Sequence, residues 1–158
     1  MLQLNKIDIH QIQSVNLGII RTPFDRVMEV SGFSVRPVEG DASVWDFHHT
    51  ASGEKGRLLH MEGFLGKRPV AVNGRGQAYL ITRQGFTLAL MFPSAPRRMK
   101  LNQANFKVLP PIAGKHYPQA WPAEMVSKVI RSRFRTIVLL DEAYLLKKIG
   151  LREPDIAI

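Results

Sequence analysis

Turn-forming residues recur at short intervals through the first hundred residues and leave no room there for a long helix. Glycine, proline and asparagine separate short segments that are rich in β-branched and aromatic side chains, a pattern typical of strands. Regular spacing of this kind indicates an antiparallel β-sheet or a partly closed small β-barrel. We therefore predict strands at Leu2–Ile9, Leu17–Arg21, Val27–Val35, Val44–Phe47, Arg57–Glu62, Pro69–Val72, Gln77–Thr82 and Phe86–Phe92.

The last two predicted strands are separated by Gln84-Gly85, and glycine supplies the positive φ that a tight turn requires. A two-residue loop fixes which residues face each other across the hairpin. On the face that we expect to join the core, Tyr79, Ile81 and Arg83 lie opposite Leu90, Leu88 and Phe86. On the other face, Leu80 and Thr82 lie opposite Ala89 and Thr87. A turn signal at Asn73-Gly74 extends this hairpin to a three-stranded meander over residues 69–92.

The second part of the chain begins with a proline-rich stretch and continues with helix signals. Six prolines from Pro93 to Pro122 exclude a long helix or a central strand, so we predict a connector over residues 93–121. From Pro122 onward, Glu124 in the first turn, Lys147 and Lys148 in the last, and Gly150 as a stop predict a helix over residues 122–149. The β-branched run at residues 136–138 marks either a break in that helix, near 136–140, or a short strand.

A chain of 158 residues with 45% hydrophobic and 22% charged residues is expected to form one globular domain with its own core. We expect an α+β domain spanning residues 1–158. Its parts are a β-rich body at 1–92, the connector at 93–121, the C-terminal helical segment at 122–149 and a short tail at 150–158.

Positive charge is concentrated in the second two-thirds of the sequence. The net charge is +9; residues 1–53 hold 4 basic and 6 acidic side chains, and residues 54–158 hold 18 and 7. Such a field attracts polyanions, so the expected partner is nucleic acid or an acidic protein surface. The predicted polyanion-binding residues are Lys67, Arg68, Arg75, Arg83, Arg97, Arg98 and Lys100.

Whether three further arginines lie on the same face depends on the secondary structure around them. In a helix, Arg131 and Arg135 lie on one face and Arg133 lies elsewhere, whereas a strand lines up all three.

The sequence does not contain the residues or motifs that several classes of reaction need. The chain contains no cysteine, which excludes disulfides and thiolate catalysis. Neither a phosphate-binding loop nor a Gly-x-Ser-x-Gly elbow occurs, although Ser52 follows a pair of histidines. No apolar run is long enough to span a bilayer, so a cytoplasmic protein is the default expectation. We expect no cofactor.

Histidines and carboxylates form one group with metal-ligand character. Asp46 and His48, like His60 and Glu62, are spaced i, i+2, so two neighbouring strands could bring all four side chains to one face.

These observations favour a non-enzymatic binding or assembly module that acts on nucleic acid or on an acidic protein partner. One alternative is a protein-assembly subunit of a larger complex without a nucleic-acid role. The other is a metal-assisted enzyme that uses the group around His48 and His60.

Overall fold

The computed structural model of the protein describes residues 6–20, 26–40, 42–67, 70–72, 76–83, 86–93, 95–100, 106–133 and 135–150. Packing divides the chain into two compact units. Unit 1 comprises Met1–Pro23 and Pro96–Tyr144, and unit 2 comprises Phe24–Ala95 and Leu145–Ile158. Because this division describes packing and not independent folding, the single domain stays a prediction.

Unit 1 contains one six-stranded sheet with the strand order β10-β11-β12-β2-β1-β9. Neighbouring strands are antiparallel except β12 and β2, which are parallel. Its strands are β1 (Ile7–Ile12), β2 (Val15–Ile20), β9 (Arg97–Met99), β10 (Phe106–Leu109), β11 (Val126–Ser132) and β12 (Arg135–Leu140).

The core of unit 1 forms where apolar residues of its strands meet on one face of this sheet. It contains Ile7, Ile9, Ile130, Ile137 and Leu139. Gly18 lies under this cluster: a Cβ there would come within 2.7 Å of Ile137 Cγ2, so a residue without a side chain allows the β-branched neighbours to approach the backbone.

Unit 2 contains a second six-stranded sheet with the order β3-β7-β8-β6-β5-β4. Its strands are antiparallel except β6 and β8, which are parallel. They are β3 (Arg26–Glu29), β4 (Phe33–Pro37), β5 (Val44–His49), β6 (Lys55–His60), β7 (Gln77–Arg83) and β8 (Phe86–Phe92). A 3₁₀ turn at Val30–Gly32 separates β3 from β4, and helix α1 (Met61–Gly66) follows β6.

Strand β8 is buried on both faces, which explains its nearly continuous apolar sequence. Ala89 and Met91 belong to a core cluster that also holds Trp45, Phe47 and Leu58. Leu88 and Leu90 alternate with them and are also fully buried. At the C-terminal end of the described chain, a short helix, α2 (Glu142–Leu145), leads into a π-turn (Leu146–Gly150). The π-turn packs on β8 and β6.

The predicted fold class, a β-rich body followed by a helical C-terminal end, is confirmed. The hairpin register is confirmed as well: Tyr79 pairs with Leu90, Ile81 with Leu88 and Arg83 with Phe86. Both faces of the hairpin, and not one, contribute buried residues. The turn residues Gln84 and Gly85 lie outside the described residues.

The C-terminal helix is much shorter than predicted. It begins at Glu142 and not near Pro122, since a 3₁₀ turn at Ala123–Met125 and strands β11 and β12 occupy most of the earlier residues. The signals that predicted this helix mark only its two expected ends, Pro122 and Gly150. A β-bulge between Val126 and Lys128 interrupts the two-residue alternation that would have indicated strand β11. The β-branched run at 136–138 lies in strand β12.

Other predicted boundaries also differ. The stretch predicted as a connector contains the short strands β9 and β10, and the predicted strand Val27–Val35 is two strands, β3 and β4. No strand forms at residues 70–72, and β7 pairs with β3, so the predicted meander is wrong. Residues 2–5, 73–75 and 151–158 lie outside the described residues. Within the described part, no helix is both long enough and apolar enough to cross a bilayer.

Candidate functional site

The four candidate metal ligands, Asp46, His48, His60 and Glu62, do not form a metal-binding group among the described residues. Strand β6 ends at His60, so Glu62 lies in helix α1 and the predicted i, i+2 alignment of these two residues is wrong. In the sheet, Asp46 lies opposite Arg57, and His48 lies opposite Lys55. Across all described residues, no group of three or more His, Asp or Glu side chains could hold a metal ion.

His60 has a structural role at the start of α1. Its Nδ1 accepts a hydrogen bond from the Gly63 N–H at 3.1 Å, which caps the first turn of the helix. The side chain is buried, and its ring lies 6.4 Å from that of Trp45. These contacts join the end of β6 to α1.

Ser52 and His49 form a hydrogen-bonded pair in the loop between β5 and β6, with Ser52 Oγ 2.6 Å from His49 Nδ1. Glu54 lies beside them, but its carboxylate accepts hydrogen bonds from Arg26. That hydrogen bonding lowers the pKa of Glu54 and raises the pKa of Arg26. Because Ser52 Oγ also accepts the Glu54 N–H at 3.2 Å, these contacts stabilise the loop and do not reproduce a catalytic triad.

The predicted polyanion-binding residues are divided between the two units. Lys67 follows α1, Arg83 ends β7, and Arg68 and Arg75 lie outside the described residues. Arg97 and Arg98 form part of edge strand β9 in unit 1, and Lys100 follows them. A joint binding surface for the seven residues therefore stays a prediction.

Arg98 has a contact that the sequence did not indicate. Its Nε lies 3.4 Å from Oδ1 of Asp8, which is only 1% exposed. The two residues face each other across β1 and β9. Arg98 thus compensates a buried carboxylate, while its own side chain is 68% exposed.

A groove in unit 2, here called the unit 2 groove, runs across β4, β5 and β6 and has a volume of about 660 Å³. Its charged lining is Arg36, Asp46, Lys55 and Arg57. Asp46 lies between two arginines, 3.8 Å from Arg36 Nη2 and 3.9 Å from Arg57 Nε. Arg57 also donates a hydrogen bond to the carbonyl of Ile149 at 2.8 Å. Three of the four charged groups in this groove, Arg36, Asp46 and Arg57, therefore have partners within unit 2.

A second groove, here called the unit 1 groove, lies at one end of the other sheet. Because β12 and β2 are parallel, their first residues are neighbours, and the turns that precede them lie side by side. Asn16 joins the two turns by donating from Nδ2 to the Thr136 carbonyl at 3.2 Å. The β1–β2 turn, Gln13-Ser14, has positive φ at both residues, as a two-residue turn of type I′ requires.

The unit 1 groove has a volume of about 440 Å³ and a strongly basic lining. Arg131 comes from β11, Arg133 from the hairpin turn and Arg135 from β12. His116 also lines it, and its Nδ1 accepts the Ile112 N–H at 3.1 Å, which leaves the proton of a neutral ring on Nε2. The other lining residues are Ser14, Val15, Asn16, Ser132 and Thr136.

The sequence singled out these three arginines but not their arrangement. A hairpin brings them together, and neither the single helix nor the single strand considered above does so. Two signals were available: the four residues Ser132 to Arg135 have the length of a tight hairpin, and β-branched residues occur shortly before them, at 129–130, and directly after them, at 136–138. No sequence pattern within or beside β12 predicted its parallel pairing with β2.

No protein-family model matches the chain, and no curated protein matches it in sequence. Among solved structures, the scaffolding protein TtCheW from Thermoanaerobacter tengcongensis matches with a TM-score of 0.67, over 92% of this chain and 94% of that chain. The two proteins share a fold. Identity with TtCheW is 11%, so the likeness concerns the backbone.

Proposed function

We propose that this protein is a non-enzymatic assembly subunit that holds partner proteins together in a larger complex. The observation that carries the proposal is the fold likeness to a scaffolding protein over nearly the whole of both chains. A likeness of that extent includes both sheets, whereas a shared motif would include only one part. It favours the assembly alternative over the nucleic-acid role expected from charge.

The side chains that could support catalysis have structural partners, which also favours an assembly role. His60 caps α1, and Glu54 accepts hydrogen bonds from Arg26. A general base needs a free acceptor atom that can take a proton from a substrate. In His60 and Glu54 these atoms already accept hydrogen bonds within the protein. The metal-assisted alternative loses its predicted ligand set.

The edge of unit 1 has features of a protein-binding surface. Strand β10 is an edge strand of the described sheet, and Val108 on it is 48% exposed. Ile112, three residues beyond its end, is 46% exposed. Edge strands present unpaired backbone groups that can bind an extended segment of another protein. We propose that a partner segment pairs with β10 and covers these two side chains.

The proposal can be tested by purifying the tagged full chain from the cells that make it and identifying proteins present in fixed stoichiometry. Each complex is then rebuilt from purified components and sized by light scattering after gel filtration. We expect a defined complex that resists nuclease treatment. A chain that forms no such complex, or one whose partners all disappear with nuclease, contradicts the proposal.

The β10 edge is tested in the rebuilt complex with the double variant Val108→Glu, Ile112→Glu. We expect at least tenfold weaker assembly, because the new carboxylates must lose water when the partner covers them. The matched control is Gln119→Glu with Ala143→Glu, which adds the same charge at two exposed positions of unit 1. Equal losses in both variants would exclude β10 as the contact.

A further inference from the structure

Two rows of polar side chains cross strands β4, β5 and β6 on one face of the unit 2 sheet, and both rows line the unit 2 groove. Directly opposite residues of antiparallel strands lie side by side on the same face. One row, here called the donor row, consists of Ser34, His48 and Lys55. The other, here called the charge row, consists of Arg36, Asp46 and Arg57. The two rows differ in how far the protein itself satisfies them.

The charge row is held together by contacts within unit 2. Asp46 lies between the two arginines, and Arg57 also donates a hydrogen bond to the Ile149 carbonyl. The exposed fraction of the side chain falls from 83% at Arg36 to 48% at Asp46 and 27% at Arg57. Burial therefore increases from edge strand β4 towards β6, and this row contributes a fixed net charge of +1 to the groove.

The donor row has no such contacts among the described residues. No described carboxylate forms an ion pair with Lys55, and no described side chain is hydrogen-bonded to those of Ser34 or His48. All three side chains are exposed, and each can donate, from a hydroxyl, a ring N–H or an ammonium group. With Lys55 and a neutral His48 ring, the described lining of the groove has a net charge of +2.

Phe86 extends the donor row onto the next strand of the sheet. In the parallel register of β6 with β8, Gly56 pairs with Thr87 and Arg57 with Leu88. This register places Phe86 beside Lys55 on the same face. Phe86 is half-buried and lines the groove. Neighbouring strands are about 4.8 Å apart, so one small ligand can contact both the ammonium group and the phenyl ring.

These features match a phosphate monoester that carries an aromatic group. Such a phosphate has a charge of about −1.5 to −2 at pH 7, which nearly balances the charge of the described lining. Its three terminal oxygens accept hydrogen bonds from several directions, which suits separate hydroxyl, imidazole and ammonium donors. A planar carboxylate instead suits the fork of a guanidinium. The groove volume of about 660 Å³ lies in the range of small-molecule sites.

We propose that the unit 2 groove binds a small phosphate monoester with an aromatic group. The phosphate lies on the donor row, and the aromatic group lies against Phe86. The two arginines of the charge row add attraction from beside the phosphate while they keep their contacts with Asp46. This ligand site goes beyond the proposed assembly function and does not depend on it.

The test titrates phenyl phosphate into the isotopically labelled full chain and follows backbone amide shifts by NMR. We expect saturable binding, with the largest shifts at or beside Ser34, His48, Lys55 and Phe86. Phenyl sulfate has a similar shape with less negative charge, and inorganic phosphate lacks the ring, so both should bind at least about fivefold more weakly. Equal binding of inorganic phosphate would indicate an adventitious ion only and would overturn the inference, as would a failure to saturate at millimolar phenyl phosphate.

Variants of the donor row separate a specific site from general attraction. We expect Lys55→Gln to weaken binding of phenyl phosphate at least about tenfold, because it removes a hydrogen bond between charged groups. Lys55 is exposed, so this variant should keep the wild-type melting midpoint. The matched control is Lys115→Gln, which removes the same charge at an exposed position of unit 1 and should cost less than twofold. Equal losses in the two variants would overturn the inference.

The contribution of the ring is tested with Phe86→Leu, which keeps an apolar side chain. We expect about threefold weaker binding of phenyl phosphate, as the loss of one aromatic contact predicts, and unchanged binding of inorganic phosphate. A variant that binds both ligands as wild type does would exclude contact with Phe86 and overturn the proposed arrangement.

Two further ligands identify the source of the phosphate. A peptide that contains phosphotyrosine presents the same aryl phosphate, and we expect it to bind within threefold of phenyl phosphate. Tighter binding of the peptide would assign the site to a modified protein, and displacement of phenyl phosphate by a lower concentration of single-stranded oligonucleotide would assign it to nucleic acid. Either result would overturn the small-molecule assignment, while the assembly function, tested by the rebuilt complex, would stand.

Discussion

His10 is a buried titratable side chain in unit 1, opposite Leu17 on the neighbouring strand. Burial lowers the pKa of His10 from 6.5 to about 4 because desolvation disfavours the charged ring. Below pH 6.5 the unfolded chain therefore binds a proton that the folded chain does not accept until about pH 4.

We predict that this difference lowers the free energy of unfolding as the pH falls from 6.5 to 4, by at most about 3 kcal/mol. Urea unfolding at several pH values in this window measures the effect. His10→Leu removes the titrating group, so its unfolding free energy should vary less with pH than that of wild type. Parallel curves for the two proteins would show that His10 does not titrate as proposed.

Leu88 tests the packing of the central strand of unit 2. It is fully buried in β8 and pairs with Ile81 and Arg57 on the neighbouring strands. We predict that Leu88→Ala lowers the free energy of unfolding by about 2–4 kcal/mol, because it leaves a cavity between packed side chains. Chemical denaturation measures the change, and an unchanged midpoint would place Leu88 outside the core.

At the scale of elements, the parallel pairing of β6 with β8 depends on Gly56. A Cβ at this position would come within 1.9 Å of the Thr87 carbonyl oxygen, and that oxygen belongs to the backbone and cannot rotate away. We predict that Gly56→Ala separates the two strands and destabilises the fold severely.

The matched control for Gly56 is Gly53→Ala in the preceding loop. Gly53 has a φ of +74°, but a Cβ added there would meet no described atom within 4 Å, so only backbone strain of about 1–2 kcal/mol is expected. Thermal unfolding compares the two variants. Similar losses would mean that the close approach of β6 to β8 is not what requires glycine.

The elements that the sequence predicted well are those with local signals. The β7–β8 register followed from a two-residue gap between two apolar runs, and it is correct at every paired position that we named. The β1–β2 hairpin has an equally tight turn, but Gln13 and Ser14 adopt positive φ without the usual glycine or asparagine. Its turn therefore had no sequence signature.

The predicted helix at residues 122–149 shows how end signals mislead when they do not determine the structure between them. Pro122, Glu124, Lys147, Lys148 and Gly150 have the positions expected at the ends of a helix, but strands β11 and β12 lie between them. The bulge at residues 126–128 interrupts the regular alternation that would have indicated β11. The strand pairing of residues 135–140 with both β11 and β2 then determines the structure.

At the scale of the whole molecule, the candidate site was only partly predictable. The charge pattern indicated an anionic or acidic partner, and Arg131, Arg133 and Arg135 were recognised as a group. Their groove depends on a strand pair formed by residues about 120 positions apart in sequence, and no local pattern encodes such a pair. The same limit applies to Arg98, whose contact with Asp8 spans two distant strands.

The net charge of +9 leads to a prediction about nucleic acid. We expect any binding to DNA or RNA to be independent of sequence and to fall steeply between about 50 and 200 mM salt, as counterion release weakens. Arg97→Glu with Lys100→Glu should weaken it further without removing the Arg98 contact to Asp8. Anisotropy titrations over a salt series measure this, and sequence-selective binding that persists at physiological salt would contradict an assembly-only role.

The parallel pair of β2 with β12 has a consequence for how the protein is made. When β2 leaves the ribosome, its partner strand has not been synthesised, and Thr136 follows Asn16 by 120 residues. At about 5–20 residues per second, the wait is about 6 to 24 seconds. During that interval the β1–β2 hairpin has an open edge and an uncovered apolar face, so the nascent chain is exposed to aggregation and to chaperones for longer than one built from neighbouring strands.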